Sequence, residues 1–281
     1  MDYFYVLRAA ASFAAVSASA YTDHKTGLIP DKITYSAGAL GIVLLLASMN
    51  LQSIIEGVLF AGLVYAFGYA LYYFGQLGGG DVKLFVALSL LMPYKNAFGV
   101  PFSLMVLLTA SFLAVFAGFA YYGAKYLLTV DKKDVRKGNA VLGMALLLAS
   151  SLYVQLISGT GLFNYNGVVA TYAILAVASF YTAFGEDLNN KLFARKVSTS
   201  KIREEDLGDV IAVGLMGKKD LEKLGLGGKK VLDEEALEKM KAKKLKFVWL
   251  YSNLPRFGPA IFLATIIVLW NPEWPLLFFT P

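Results

Sequence analysis

The 281-residue sequence contains no cysteine, one histidine and only 16% charged residues. The lack of cysteine excludes disulfide frameworks, zinc ribbons, thiol catalysis and iron–sulfur clusters. His24 alone offers too few nitrogen ligands for most zinc or haem sites, and it does not favour a serine–histidine triad. We therefore predict a protein that uses neither a metal nor another cofactor.

The sequence is correspondingly rich in apolar residues. Hydrophobic residues make up 57% of the chain, against roughly 45–50% in an average soluble domain. They form eight apolar runs, most of them close to the roughly 20 residues that a spanning helix requires. The runs cover residues 4–21, 33–51, 54–74, 82–94, 102–128, 140–157, 168–184 and 257–277. This pattern predicts an all-α polytopic membrane protein with about eight transmembrane helices, of which the fourth is short.

One charged stretch interrupts the apolar pattern. Residues 185–256 carry 16 basic and 12 acidic residues, which predicts a small mixed α/β cytoplasmic insert. Within it, Val210–Val213 is predicted as a strand, and Asp233–Lys246 as a helix capped by Asp233. We therefore predict three parts: a membrane domain over 1–184 with the catalytic motifs, the soluble insert over 185–256, and a final transmembrane helix with an external C-terminus over 257–281.

The insert ends in a lysine cluster, whose members are Lys239, Lys241, Lys243, Lys244 and Lys246. A solvated face near anionic lipid head groups explains it best, so membrane lipids are predicted partners. Because no aromatic-interleaved basic stripe accompanies the cluster, nucleic acid is not a predicted partner.

The distribution of basic residues predicts the orientation in the membrane. The long insert is left out of this count. If the chain has eight spans, one side of the membrane then holds only two basic residues, Arg8 and Lys95. The other side holds Lys25, Lys32, Lys83, Lys125, Lys132, Lys133, Arg136 and Lys137. Because the basic side faces the cytoplasm, both termini are predicted outside and the insert inside a plasma membrane.

Two carboxylates near the predicted cytoplasmic face need explaining. Asp23 follows the first run, and Asp81 follows the third in Gly78-Gly79-Gly80-Asp81. Taken singly, Asp81 has the simple interpretation of a helix N-cap, and Asp23 that of a loop carboxylate. Three consecutive glycines fit these interpretations poorly, because they cost chain entropy and suit a sharp bend or the close approach of another chain.

The pair suggests aspartyl proteolysis. Two neighbouring carboxylates cannot both ionise cheaply, so one keeps its proton near neutral pH. The ionised partner then takes a proton from the water that attacks a peptide carbonyl, and the protonated partner donates to the oxyanion or the leaving amine. This chemistry requires no metal, cysteine or histidine.

The motif Gly78-x-Gly80-Asp81, with Lys83 two residues on, resembles the core of the type IV prepilin and prearchaellin peptidase family, the GxGD membrane aspartyl proteases. Asp23-x-Lys25 with Ile29-Pro30 is similar to that family's first motif, although Asp31 stands where Asn is usual. Residues 256–259 before the last run also look family-like.

The resemblance implies an aspartic endopeptidase with Asp23 and Asp81 as its catalytic pair. Gly78, Gly79, Gly80 and Lys83 would form the active-site loop, with motif support from Lys25, Ile29 and Pro30. The implied substrates are prepilin- or prearchaellin-like precursors with class III leaders, cut on the cytoplasmic side, and the pilus or archaellum assembly machinery is a further implied partner. The four-cysteine zinc motif of many bacterial members is absent, so the chain looks more like the archaeal branch.

Two alternatives stay open at this stage. GxGD proteases of the presenilin type place a Tyr before the first Asp, where this chain has Thr22. A polytopic transporter or ion channel would instead use Asp23, Asp81 and Glu56 as a proton or ion relay. Transporters commonly contain repeats, and this sequence has no convincing internal repeat.

Overall fold

The computed structural model describes residues 3–129, 137–159, 164–202, 206–217, 220, 230–243, 245–252 and 254–274. Each of the eight apolar runs contains helix. The helices up to residue 192 are α1 (Tyr3–Thr26), α2 (Asp31–Ala47), α3 (Leu51–Tyr73), α4 (Gly79–Leu91), α5 (Phe102–Gly118), the six-residue α6 (Ala124–Thr129), α7 (Lys137–Ser158) and α8 (Tyr165–Leu192). A π-helical turn, Phe119–Gly123, joins α5 to α6 without a break.

The insert contributes strands β1 (Ala194–Ser198), β2 (Val210–Ile211) and β3 (Phe247–Tyr251), and helix α9 (Glu234–Ala242). The chain then enters α10 (Gly258–Trp270). The three strands form an antiparallel sheet in the order β1-β3-β2, with Val197 opposite Val248. The predicted cap is confirmed, since the Asp233 side chain accepts a hydrogen bond from the Ala236 amide at 2.9 Å. The predicted helix is wrong at its end, because α9 stops at Ala242.

The structure confirms a polytopic all-α membrane protein but supports fewer spans than eight. Among the described residues, four helical segments are long and apolar enough to cross a membrane: 51–73, 102–129, 139–156 and 165–192. The remaining runs fall short for different reasons. Helix α1 is rich in alanine, serine and threonine, α2 has 17 residues, and α4 and α10 have 13 each.

The chain forms two compact units, and the division falls inside α5. In the first unit, residues 1–110 and 193–272, helix α4 is the core element. Its side chains Leu84, Leu88 and Leu91 are fully buried, and α4 packs on α1, α2 and α3. Helix α4 is too short to span a membrane and is enclosed by the surrounding helices. The polar backbone groups at its ends are therefore shielded from lipid by protein.

Arg8 ties the opposite end of this unit together. Its side chain is buried, and its guanidinium donates to the carbonyl oxygens of Leu44 at 2.7 Å and Leu91 at 3.1 Å. These oxygens lie in the last turns of α2 and α4, where the helix dipole favours a cation; the Leu44 oxygen also accepts from the Ser48 amide at 3.1 Å. Arg8 is therefore a structural cation of α1.

Residues 193–256 of the insert belong to the first unit and have their own apolar core, whereas residues 185–192 continue α8. The core residues are Ile211, Leu232, Ala236, Met240, Leu245, Val248 and Leu250. Lys241, Lys243 and Lys246 of the lysine cluster are exposed, Lys239 pairs with Glu235 at 2.6 Å, and Lys244 lies outside the described residues. The predicted strand at Val210–Val213 is confirmed for its first two residues, and a 3-10 turn follows at Val213–Leu215.

The second unit comprises residues 111–192 and 273–281. Helices α7 and α8 approach closely at Gly143, where a Cβ atom would lie 2.7 Å from the Ser179 carbonyl oxygen. Small residues of this kind let helix backbones meet in membranes. Aromatic contacts such as Phe119–Phe180, at 5.0 Å between ring centroids, join the π-helical turn to α8.

Candidate active site

Asp23 lies in the last full turn of α1 and is buried. Its Oδ2 atom accepts a hydrogen bond from the buried Gly258 amide at 2.8 Å. Its carbonyl oxygen accepts one from Arg256 at 2.6 Å and one from the Gly27 amide at 2.8 Å. The structure therefore fixes this carboxylate through the segment that leads into α10, more than 230 residues along the chain.

Asp81 is the third residue of α4 and is half-buried. The interpretation of Asp81 as the N-cap is wrong, because the helix begins at Gly79 and Gly78 occupies the capping position. The Asp81 Oδ2 atom reaches back to accept from the Gly78 amide at 3.2 Å. A Cβ atom on Gly78 would lie 2.7 Å from that oxygen, so the absence of a side chain there leaves room for the carboxylate.

The two aspartates occupy the same end of the helix cluster. Ile29, which follows α1, packs on Gly80 so closely that a Cβ atom there would lie 2.9 Å from the Ile29 Cβ atom. The segment that follows Asp23 thus lies directly on the first turn of the helix that carries Asp81. This contact brings the two motifs together at one end of the unit. Such a pair can act as general base and general acid.

Lys83 is directed towards α2. Its ammonium lies 2.5 Å from the Asp31 carboxylate and 5.2 Å from the centre of the Tyr35 ring. Asp31, the residue that departs from the family pattern, is therefore the ionic partner of the motif lysine. This pair fastens the first turn of α4 to the first turn of α2.

The remaining predicted residues surround this point. Lys25 is exposed, with its ammonium 5.9 Å from the Tyr21 ring centre. Pro30 precedes α2 in an extended conformation, and its carbonyl accepts from the Ile33 amide at 3.0 Å. Gly79 faces Tyr72, whose ring edge would lie 3.5 Å from an added Cβ atom.

Sequence reasoning missed the contact between the insert and the loop before Asp81. The Lys230 amide donates to the Tyr73 carbonyl at 3.4 Å, and Gly75 packs against Val210. Sequence reasoning also assigned no role to residues 256–258. Their family-like pattern was a signal that the segment matters, but nothing local to it indicates a contact with Asp23.

Glu56 lies elsewhere. It stands near the start of α3, paired with Lys95 at 2.8 Å and hydrogen-bonded to Gln52 at 3.0 Å. The helical rise of 1.5 Å per residue puts it roughly 25 Å along α3 from the end that meets the aspartates. In the described part of the chain, no three His, Cys, Asp or Glu side chains cluster in a way that suits a metal ion.

The geometry describes a membrane protein with a pair of carboxylates at one end of a helical bundle. Residues 10–121, which include both aspartates, match the type IV leader peptidase family. The match covers less than half of the chain. The segment contains the Asp23 motif, the glycine loop and Lys83.

A curated relative is similar over a longer stretch. It is described as prepilin peptidase EppA from Methanothermobacter thermautotrophicus, and it is 28% identical over 158 residues. The aligned region covers 48% of this chain and 41% of the relative, so the chain spans less than half of that protein's length. No solved structure matches the chain significantly.

Proposed function

We propose that this protein is a membrane-embedded aspartic endopeptidase of the GxGD type with Asp23 and Asp81 as its catalytic pair. The observation that carries the proposal is the approach of the two motifs through Ile29 and Gly80. It gives two sequence-distant carboxylates a common location, which an ordinary loop residue or helix cap does not require. The family match over the same residues supports a leader peptidase.

In the proposed reaction, one aspartate is ionised and the other is protonated. The ionised carboxylate removes a proton from water as the oxygen attacks the scissile carbonyl carbon. The protonated carboxyl then supplies the proton that the departing amine needs, so the proton balance closes within the pair.

The proposed substrates are prepilin- or prearchaellin-like precursors with short basic leaders of the class III type. The name of the archaeal relative supports prepilins. Cleavage would occur at the cytoplasmic face of the cell membrane, with both termini outside, because the positive charge concentrates on the side of the aspartates. The insert, which contacts the loop before Asp81, is suited to screening leaders or meeting assembly machinery.

The ion-relay alternative is weaker. A relay requires carboxylates in sequence along a path, whereas Glu56 lies at the far end of α3 and is neutralised by Lys95. A single variant separates the two functions. Glu56→Gln should leave peptide cleavage intact, and it would impair transport if Glu56 carried protons.

The first experiment is leader removal in membranes from a pilin-type precursor with a basic leader. We expect Asp23→Asn and Asp81→Asn each to abolish cleavage, since neither asparagine can exchange a proton in the pair. Both variants must insert and accumulate as wild type does, and Glu56→Gln is the matched control. Full activity in either aspartate variant would refute the catalytic pair.

A further inference from the structure

The segment 256–258 supplies two donors to one residue. Arg256 donates to the backbone oxygen of Asp23 at 2.6 Å, and the Gly258 amide donates to its side-chain oxygen at 2.8 Å. The second bond is buried. The first lies at the C-terminal turn of α1, where a cation complements the helix dipole. The backbone and the carboxylate of Asp23 are thus held by the same segment.

The end of α1 is shaped to admit the guanidinium. Gly27 has a left-handed conformation, with φ +77°, and a Cβ atom on it would lie 2.5 Å from Arg256 Nη1. Gly258 is also close, since its added Cβ would lie 2.9 Å from both Cβ and Oδ2 of Asp23. Two glycines therefore allow the approach of the segment, one at the backbone contact and one at the side-chain contact.

We propose that Arg256 is a positioning residue for Asp23, acting with the Gly258 amide to aim this carboxylate at Asp81. This inference rests on the proposed peptidase function. Arg256 fixes the last turn of α1, and the Gly258 amide fixes the orientation of the side chain within it. Removing the guanidinium frees the turn, so the carboxylate moves away from the reacting atoms. The guanidinium itself takes no part in proton transfer.

The kinetic test compares variants at both sides of the contact. Arg256→Gln should lower kcat by about 100-fold, the typical effect of a misplacement of about 1 Å, and should leave KM nearly unchanged because the precursor's binding surface is intact. Arg256→Lys retains a cationic donor and should recover much of the loss. Equal loss in Lys and Gln variants, or a change confined to KM, would overturn the positioning role.

Gly27→Ala tests the same contact without changing Arg256. The added methyl group displaces the guanidinium, so kcat should fall as in Arg256→Gln. Gly99→Ala is the matched control, because Gly99 has φ +76° and no atom within 4 Å of an added Cβ. Both variants bear the same backbone strain, but only Gly27→Ala disturbs Asp23. A similar kcat in both would contradict the proposal.

Thiol labelling tests the placement independently of activity. The chain has no cysteine, so Asp23→Cys introduces a single thiol at a buried position. A thiol reagent should label it slowly in membranes, and adding Arg256→Gln should speed the labelling severalfold because the turn that holds residue 23 is freed. If wild type cleaves no precursor but the labelling behaves so, the proposed function fails and the positioning contact stands. If cleavage occurs but Arg256→Gln leaves the labelling rate unchanged, the positioning inference fails alone.

Discussion

Asp23 and Asp81 are held in place in opposite ways. Asp81 accepts its hydrogen bond from the amide of Gly78, which lies three residues earlier at the N-cap of the same helix. Asp23 takes its side-chain bond from Gly258, 235 residues later. The first arrangement is local and depends on a short motif, whereas the second exists only when the last helix has packed against α1.

The difference has a consequence for stability. The Gly78 loop is exposed at its first residue, so a change there disturbs a side chain that has space to move. Gly258 is buried and lies against Ala20 and Asp23. A change there presses on a helix backbone in a packed interior, where overpacking is costly. One aspartate should therefore be separable from folding and the other should not.

The largest expected effect comes from a methyl group placed against each carboxylate. Gly258→Ala puts a Cβ atom 2.9 Å from Asp23 Oδ2 and 3.2 Å from the Ala20 Cα atom. We expect it to abolish cleavage and to lower the free energy of unfolding by about 1–3 kcal/mol, the usual cost of overpacking. Gly78→Ala puts a Cβ atom 2.7 Å from Asp81 Oδ2. It should reduce cleavage strongly while changing stability by less than about 0.5 kcal/mol.

Unfolding in detergent and leader removal in membranes measure the two effects separately. Gly62→Ala serves as the control, because an added Cβ at this position in α3 meets no atom within 4 Å. Equal stability losses for Gly258→Ala and Gly78→Ala would remove the distinction between a long-range and a local support.

The same distinction explains what the sequence could predict. The apolar runs and the motif around Asp81 depend on residues that are close in the chain, and hydropathy or glycine spacing reveals them. The Arg256 contact depends on a chain separation of 233 residues, and no local pattern encodes it. Charge counting treated Arg8 only as one of the basic residues on one side of the membrane. In the structure, its guanidinium donates to backbone carbonyls of two other helices.

The number of spans exceeded what the sequence could settle. Helix α4 is apolar because protein surrounds it, and burial in protein selects the same residue types as burial in lipid. The same ambiguity applies to the 13 residues of α10, which include the buried Ile261, Ala264 and Val268. Hydropathy alone cannot separate the two environments for helices of this length.

A smaller effect is expected where the insert meets the loop before Asp81. A Cβ atom on Gly75 would lie 3.6 Å from that of Lys230, which is within the usual range for a disulfide. Gly75→Cys with Lys230→Cys should therefore cross-link on oxidation and leave most of the cleavage activity, because the bond only fixes a contact already present.

The single variant Gly75→Cys controls for the strain of replacing Gly75, whose φ is +71°, and Lys230→Cys controls for loss of the lysine. A shift in gel mobility that is reversed by reductant reports the bond after proteolysis within the insert. No cross-link would refute the contact. A cross-link that stops cleavage would instead indicate that the insert must leave the loop during the reaction. Both aspartates would then depend on residues that are distant in the sequence.

The smallest effect should come from the ion pair of Lys83 and Asp31. The pair is partly exposed, with side-chain exposures of 36% and 56%, and such pairs contribute about 0.2–1 kcal/mol. Lys83→Met and Asp31→Asn should each lower the free energy of unfolding by that amount, and the double variant should lose little more than either single variant. Cleavage should persist in all three, because the pair fastens α4 to α2 without touching the carboxylate of Asp81. Loss of cleavage in Lys83→Met alone would show that this lysine serves the reaction directly, and the local side of the comparison would then contain a third active group.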